Sequence, residues 1–241
     1  MHMSHAMELE LARRVQEHTQ PRSVPDLPGY LVYAKTIPAT WGNGDFFDII
    51  GVRPREKHRG YRVDRGKTVD HMVLTIGDAT GHGMGAALMA TSVTAMLRED
   101  LPDGHFVTLL LGRLDRARHM FRWVSFGQGP LWLYRAGSKD IESLEPHHPP
   151  LGVLPSMLEY QPTETLLDPG DTLLAISDGF PETSNPEEEL IGEKLLKDAF
   201  LSVAKSKPEQ VFQTLWDKIQ HHAKGLPQGD DRTFLLIRRL D

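Results

Sequence analysis

The sequence predicts an α+β domain in which short strands dominate and helices are few. Apolar runs of strand length recur along the 241 residues, separated by turns rich in glycine, proline and aspartate, as is typical of antiparallel sheets. Helical spacing of apolar residues is confined to a few segments. No proline-rich linker separates halves of different composition, so we predict that residues 1–241 form one domain.

The predicted strands are apolar runs that end at turn residues. In chain order they are Leu31–Ile37, Phe46–Val52, Met72–Ile76, Phe106–Leu114, Met120–Ser125, Leu131–Tyr134, Thr163–Leu167, Thr172–Ile176 and Phe234–Arg238. The runs between residues 106 and 134 are predicted to form a meander. Asp168-Pro169-Gly170-Asp171 is predicted to join two strands, and its middle residues favour a type II turn. The charged segment Arg53–Lys67 is predicted to be a hairpin or a loop.

The predicted helices differ in the width of their apolar face. Met84–Glu99 has the strongest helical spacing, and its alanines allow close packing on a sheet. Glu193–Val203 and Pro208–His222 are also predicted to be helices. Residues 1–20 are interpreted as a tag remnant followed by an N-terminal helix, Met7–Thr19. The narrow apolar stripe of that helix predicts a helix pair, and hence a homodimer.

Composition excludes several classes of site and partner. The net charge of −6 argues against nucleic-acid binding, which needs a basic face. The absence of cysteine excludes disulfides, thiolate zinc sites and cysteine nucleophiles, and fits a cytoplasmic protein. No apolar run approaches the about 20 residues that a membrane-spanning helix needs, so no membrane partner is expected.

Four short acidic stretches stand out because each places aspartate beside glycine next to an apolar run. They are Gly44–Asp48, Gly77–Gly83, Ser177–Gly179 and Gly229–Thr233. Taken singly, each is more typical of a turn, since aspartate caps turns and glycine supplies a positive φ. Taken together, they predict carboxylates that converge on a hard cation such as Mg²⁺ or Mn²⁺.

These stretches, in this order, resemble the motifs of the PPM-type (PP2C-like) metal-dependent protein phosphatases, specifically the bacterial SpoIIE/RsbU branch. The matching segments are Asn43–Asp48, Gly77–Leu88, Pro150–Val153, Pro169–Gly179 and Gly229–Thr233. The resemblance covers nearly the whole chain from Glu8. It implies a four-layer αββα sandwich of two mainly antiparallel sheets flanked by helices, with a metal site at one end between the sheets.

The resemblance also implies roles for individual residues. Asp78 would bridge two divalent ions, Mn²⁺ or Mg²⁺, and the Ala79 carbonyl would bind the second of them. Asp178 and Asp230 would bind the first ion, and Asp45 would orient metal-bound water. Two such ions lower the pKa of a water molecule and neutralise phosphoryl oxygens, which suits hydrolysis of a phosphate monoester.

Other polar residues have weaker claims to a catalytic role. The presence of Asp48 is explained equally well by a turn hydrogen bond as by a metal site. Asp231 is likewise explained by a role in capping the following strand. His82, between two glycines, is either a leaving-group acid or, more typically, a loop-packing residue. His147 and His148 are predicted to lie in a solvated loop.

The chain departs from the resemblance in two places. Gln128 stands where the family has a histidine, and only Asp100–His105 connect the central helix to the next strand, where the family has a longer, helical connection. The basic residues of Arg53–Lys67 are interpreted either as a solvated hairpin or as a docking surface for an acidic phosphoprotein.

Three hypotheses for function follow. The first is a protein serine/threonine phosphatase that acts on a phosphorylated regulatory protein; the resemblance implies an anti-sigma-factor antagonist of STAS type in a partner-switching pathway. The second is a non-catalytic PP2C-like regulatory module that binds a partner without turnover. The third is hydrolysis of a small phosphorylated metabolite.

Overall fold

The strands of the computed structural model largely follow the predicted apolar runs. The structure describes residues 24–39, 44–54, 61–64, 66–79, 106–153 and 161–241. In chain order the strands among them are β1 (Tyr30–Ile37), β2 (Phe46–Pro54), β3 (Tyr61–Val63), β4 (His71–Ala79), β5 (Val107–Asp115), β6 (Met120–Phe126), β7 (Leu131–Arg135), β8 (Asp140–Ser143), β9 (Thr163–Leu166), β10 (Thr172–Ile176) and β11 (Arg232–Arg239). The helices among them are α1 (Gly192–Val203) and α2 (Pro208–Ala223). The predicted helices Met7–Thr19 and Met84–Glu99 lie outside the described residues.

The described residues fall into two compact units, each built on one antiparallel sheet. The described residues of unit 1 lie within the ranges 24–29, 44–128 and 146–166. Those of unit 2 lie within the ranges 30–39, 129–145 and 167–241. The chain therefore passes between the units several times. The prediction that residues 1–241 form a single domain stays a prediction.

Unit 1 contains a six-stranded sheet in the order β3-β2-β4-β5-β6-β9. Its central strand β4 alternates in burial, with Met72, Leu74 and Ile76 fully buried on one face. On the other face, Ala79 belongs to an apolar cluster with residues of β2, β5 and β6. The short strand β3 pairs with β2 through Val52 and Val63, so Arg53–Lys67 contains the hairpin that was one of its two predicted forms.

Unit 2 contains a five-stranded sheet in the order β1-β11-β10-β7-β8, and α1 and α2 belong to the same unit. Fully buried Phe200 of α1 and Leu215 of α2 share one apolar cluster with Trp132, Ile176 and Phe234 of the sheet. Burial of such large apolar side chains supplies most of the stability of a layer of helices on a sheet. Neither helix in the described ranges is long and apolar enough to cross a membrane.

The strand pairing corrects one prediction. β5 and β6 pair as predicted, but β7 pairs with β10 and β8, so residues 106–134 do not form a single meander. β9 pairs with β6 and β10 pairs with β7, so the predicted turn joins strands that belong to different sheets. Local apolar runs specify strands, but they do not specify which sheet a strand joins.

The turn between β9 and β10 has the predicted geometry. Gly170 has a φ of +82°, and the amide of Asp171 donates a 3.0 Å hydrogen bond to the carbonyl oxygen of Asp168, as a type II turn requires. The buried Asp171 carboxylate accepts hydrogen bonds from the Ala136 amide and from the Arg135 guanidinium at 2.8 and 2.9 Å. The turn is therefore anchored to the end of β7.

Candidate metal centre

Two of the predicted metal ligands, Asp45 and Asp78, lie side by side in unit 1. Phe46 of β2 pairs with Gly77 of β4, so the next pair outward in this register brings Asp45 to Asp78. A carboxylate oxygen of each lies within 4.8 Å of the other. Asp45 is buried and Asp78 is half-buried. Two carboxylates at this spacing repel each other unless a proton or a cation lies between them.

Gly44 places the Ala79 carbonyl beside the Asp78 carboxylate. A Cβ atom built on Gly44 would lie 2.1 Å from the carbonyl oxygen of Ala79 and 2.2 Å from Oδ1 of Asp78. The Ala79 amide donates a 3.2 Å hydrogen bond to the Gly44 carbonyl, which fixes this approach. The two oxygens therefore flank one small space beside Gly44. An all-oxygen donor set of this kind fits a hard divalent cation.

The second predicted pair, Asp178 and Asp230, belongs to unit 2. Asp178 follows β10, and Asp230 precedes β11. The two loops are tied together because the Ser177 amide donates to the Thr233 carbonyl and the Thr233 amide donates to Ser177 Oγ, both at 2.9 Å. A Cβ atom on Gly179 would lie 1.9 Å from the Asp231 carbonyl oxygen, so only glycine allows the loops to approach this closely.

The electrostatics of Asp178 fit a cation site. Burial raises the pKa of its carboxyl group, and the negative charges of Asp230 and Glu182 raise it further. The ionised carboxylate is therefore destabilised where it lies. A divalent cation beside it would reverse that effect, since a bound ion becomes the largest charge in its surroundings.

Sequence reasoning missed Arg232, whose side chain links the loops of Asp178 and Asp230 by hydrogen bonds. Its side chain is buried, and its guanidinium donates 3.0 Å hydrogen bonds to the Gly179 carbonyl and to Thr183 Oγ1. It also donates to Gln228 Oε1 at 3.3 Å and lies 5.4 Å from the centre of the Trp216 ring. The signal in the sequence was an arginine just before the apolar run Phe234–Ile237, where a charge needs partners.

The two weaker acidic candidates are used in hydrogen bonds. Asp48 Oδ1 accepts from the Ile49 amide at 2.8 Å, and its pairing with Thr75 places it on the opposite face of the sheet from Asp78. Burial raises the pKa of Asp48. Asp231 is buried, and its Oδ1 accepts from the Ala39 amide at 2.7 Å. Asp231 therefore anchors the chain after β1.

The histidine candidates are only partly described. His82 lies outside the described residues. The prediction that His147 and His148 lie in a solvated loop is wrong for His148, whose ring stacks on Phe126 at 5.4 Å. The His148 amide also donates to the Ser125 carbonyl at 3.2 Å. Burial lowers the pKa of His148, and the neighbouring His147 lowers it further.

The fold defines a class of protein, that of the PP2C-type phosphatase domains. The SiaA-PP2C domain of Pseudomonas aeruginosa has a TM-score of 0.71 at 18% identity, covering 95% of this chain and 94% of that one. The RsbU and RsbW domains of Rv1364c from Mycobacterium tuberculosis have a TM-score of 0.67 at 23% identity, covering 92% of this chain and 63% of that one. These likenesses confirm the predicted fold class.

Within that class the family is clear. The family model of Stage II sporulation protein E (SpoIIE) matches residues 96–240, and the chain belongs to this family. Phosphoserine phosphatase RsbU of Bacillus subtilis (strain 168) is 21% identical over 96% of this chain and 70% of its own length. Protein IcfG of Synechocystis sp. (strain ATCC 27184 / PCC 6803 / Kazusa) is 22% identical over 97% of this chain. The chain spans 42% of the length of IcfG.

Proposed function

We propose that this chain is a metal-dependent protein phosphatase that hydrolyses phosphoserine or phosphothreonine on a regulatory protein. The observation that carries the proposal is the arrangement at Gly44, where the Asp45 and Asp78 carboxylates and the Ala79 carbonyl form a compact set of oxygen donors. Such donors bind Mg²⁺ and Mn²⁺ rather than softer metals. In this proposal residues 1–241 act as a single phosphatase domain.

The proposed cofactors are two divalent ions, Mn²⁺ or Mg²⁺. The residues proposed to bind them are Asp45, Asp78, Ala79, Asp178 and Asp230. When bound, such ions supply an activated water molecule and neutralise the phosphoryl oxygens. Asp78 has two carboxylate oxygens at the end of the central strand β4 and would hold the ions there. Asp45 is buried beside it, which suits the orientation of the attacking water. His82 keeps its two interpretations, as the acid that protonates the leaving group or as a loop-packing residue.

Relatives support the metal and the reaction class. The RsbU relative is named a phosphoserine phosphatase. Two proteins of similar fold have solved structures whose descriptions include metals: RsbX in complex with magnesium, with a TM-score of 0.53, and the catalytic domain of the phosphatase PstP with 2 manganese ions, with a TM-score of 0.50. By analogy, the proposed substrate is a phosphorylated anti-sigma-factor antagonist of STAS type.

The proposal includes two further features. The chain is proposed to act in the cytoplasm, in keeping with its lack of cysteine. It is also proposed to form a homodimer through the N-terminal helix Met7–Thr19. Light scattering at micromolar concentration tests the dimer: a monomeric mass would contradict it, and a variant without that helix should be monomeric.

The experiment that tests the function is phosphate release from p-nitrophenyl phosphate and from a phosphoserine protein. Turnover should require Mn²⁺ or Mg²⁺, stop with EDTA, and be lost in Asp178→Asn, which removes one proposed ligand charge at constant shape. The matched control is Asp48→Asn, an equal change on the opposite face of the sheet from Asp78, which should keep turnover. Mn²⁺ binding without phosphate release from any substrate would favour the non-catalytic regulatory module instead.

A further inference from the structure

A chain of hydrogen bonds leads from the backbone of Asp78 into the interior of unit 1. Thr108 of β5 is paired directly with Asp78 of β4. Its hydroxyl accepts a hydrogen bond from the Asp78 amide at 3.2 Å and donates one to Oε1 of Gln128 at 2.7 Å. The Asp78 amide is thus linked through the Thr108 hydroxyl to Gln128. Gln128 is the residue that stands where the family named above has a histidine.

Gln128 is built firmly into this position. Gln128 is 4% exposed, and Ser125 Oγ donates a 2.6 Å hydrogen bond to its backbone carbonyl oxygen. The neighbouring Gly127 amide donates to the His148 carbonyl at 2.9 Å, which fixes the same segment from its other side. The backbone of this segment is therefore fixed on two sides, and the side-chain oxygen Oε1 of Gln128 accepts the hydrogen bond from Thr108.

The polarity of the chain follows from the chemistry of a hydroxyl group. Thr108 Oγ1 carries a single proton, which it donates to the Gln128 amide oxygen. Its lone pairs are then directed elsewhere, and one of them receives the Asp78 amide. Without the acceptor at Gln128, the hydroxyl proton would have no fixed direction, and its hold on Asp78 would weaken.

We infer that Thr108 and Gln128 are positioning residues for the metal ligands Asp78 and Ala79. This inference rests on the proposed function, because it concerns the orientation of the oxygens of Asp78 and Ala79 that are proposed to bind the metal. The bond to Thr108 fixes the Asp78 amide, which is attached to the Cα atom that carries the proposed ligand side chain. The Ala79 amide that follows is held by the Gly44 carbonyl, so both amides that precede the Ala79 carbonyl have fixed acceptors. Groups that orient metal ligands in this way change metal affinity by about 10–100-fold when they are removed.

The test is the affinity of the whole chain for Mn²⁺ alone, measured by titration calorimetry. Thr108→Val removes the hydroxyl at nearly constant shape and should weaken Mn²⁺ binding about tenfold. Thr108→Ser keeps the hydroxyl and should restore the affinity of the parent protein. Gln128→Met removes the acceptor but keeps the length of the side chain, and should weaken Mn²⁺ binding by a smaller factor.

The matched control is Thr165→Val. Thr165 is a buried threonine of the same sheet whose hydroxyl accepts a 3.0 Å hydrogen bond from Trp123 Nε1 on the neighbouring strand. Both valine variants should lose stability in urea, but only Thr108→Val should lose Mn²⁺ affinity. Equal Mn²⁺ affinity in Thr108→Val and the parent, or equal losses in both valine variants, would overturn the positioning role alone. A parent protein that binds no Mn²⁺ would overturn the proposed function and this inference with it.

Discussion

The guanidinium of Arg232 donates a 3.0 Å hydrogen bond to the backbone carbonyl of Gly179. This bond joins the start of β11, just after Asp230, to the residue that follows Asp178. It is formed in a buried place, where an arginine is stable only when its donors have acceptors. The loops that carry one pair of proposed ligands are therefore held together by a side chain that is not itself a ligand.

We predict that Arg232→Met lowers the free energy of unfolding by about 1–3 kcal/mol, because the Gly179 carbonyl and the Thr183 hydroxyl lose a buried donor. Mn²⁺ binding should weaken as well, because the loops that carry Asp178 and Asp230 are no longer joined by the Arg232 side chain. Urea unfolding and Mn²⁺ titration measure the two effects.

The control for this change is Arg238→Met at the other end of β11. Arg238 donates to the carbonyl oxygens of Ala204 and Ser206 after α1, at 2.6 and 2.8 Å. Its loss should destabilise the protein without changing Mn²⁺ affinity. If both variants bind Mn²⁺ equally well, Arg232 does not act on the metal site.

The raised pKa of Asp178 predicts how the stability of the metal-free protein depends on pH. A carboxyl group whose pKa rises on folding binds protons more readily in the folded state, so it costs stability above its folded pKa. That cost disappears as the pH falls to the unfolded value of about 3.9. In EDTA, Asp178→Asn should therefore raise the free energy of unfolding near neutral pH, by an amount that shrinks on acidification. A gain independent of pH, or a loss at neutral pH, would contradict this.

In excess Mn²⁺ the parent protein should be more stable than Asp178→Asn, the opposite of the order expected in EDTA. A ligand present at about 100 times its dissociation constant stabilises the folded state by about 2.7 kcal/mol. The parent protein should gain this stability, whereas Asp178→Asn, which lacks a proposed ligand charge, should gain much less. Urea unfolding with and without Mn²⁺ measures the difference, and equal gains in the two proteins would remove Asp178 from the ligand set.

The sequence was most informative where the signal is local. The apolar run Met72–Ile76 and the turn around Gly170 depend on near neighbours and were predicted from them. β4 nevertheless extends through Asp78 and Ala79, beyond its predicted end at Ile76. β8 was missed because its sequence, Asp140–Ser143, has charged residues at its exposed positions and lacks an apolar run.

Contacts between distant residues were beyond sequence reasoning. Gln128 was recognised only as a departure from a motif, because its bond to Thr108 depends on the register of β6 against β5 and on the path of the chain after β6. Arg232 was noted only as part of the acidic stretch Gly229–Thr233, and two of its acceptors come from a loop some 50 residues earlier in the chain. No periodicity in the sequence encodes either contact.

Asp45 and Asp48 provide a matched pair on one strand. Asp45→Asn should abolish or strongly reduce Mn²⁺-dependent phosphate release, because Asp45 lies within 4.8 Å of Asp78. Asp48→Asn should keep it, since Asp48 lies on the opposite face of the sheet and bonds its own neighbour, Ile49. Steady-state kinetics at several Mn²⁺ concentrations separate a loss of metal affinity from a loss of turnover. Similar activities in the two variants would show that the faces of the sheet are not functionally distinct.

Gly44→Ala tests the close approach that brings the ligand oxygens together. The new Cβ atom would lie 2.1 Å from the Ala79 carbonyl oxygen and 2.2 Å from Asp78 Oδ1, so both oxygens must move. We expect Mn²⁺ affinity to fall about tenfold or more, since the displaced groups are the proposed ligands. Gly137→Ala is the control, because a Cβ atom there meets nothing within 4 Å. If Gly44→Ala unfolds at the same urea concentration as the parent but binds Mn²⁺ far more weakly, Gly44 serves the site rather than the fold. Unchanged Mn²⁺ affinity would instead mean that the Ala79 carbonyl and Asp78 Oδ1 do not bind the ion.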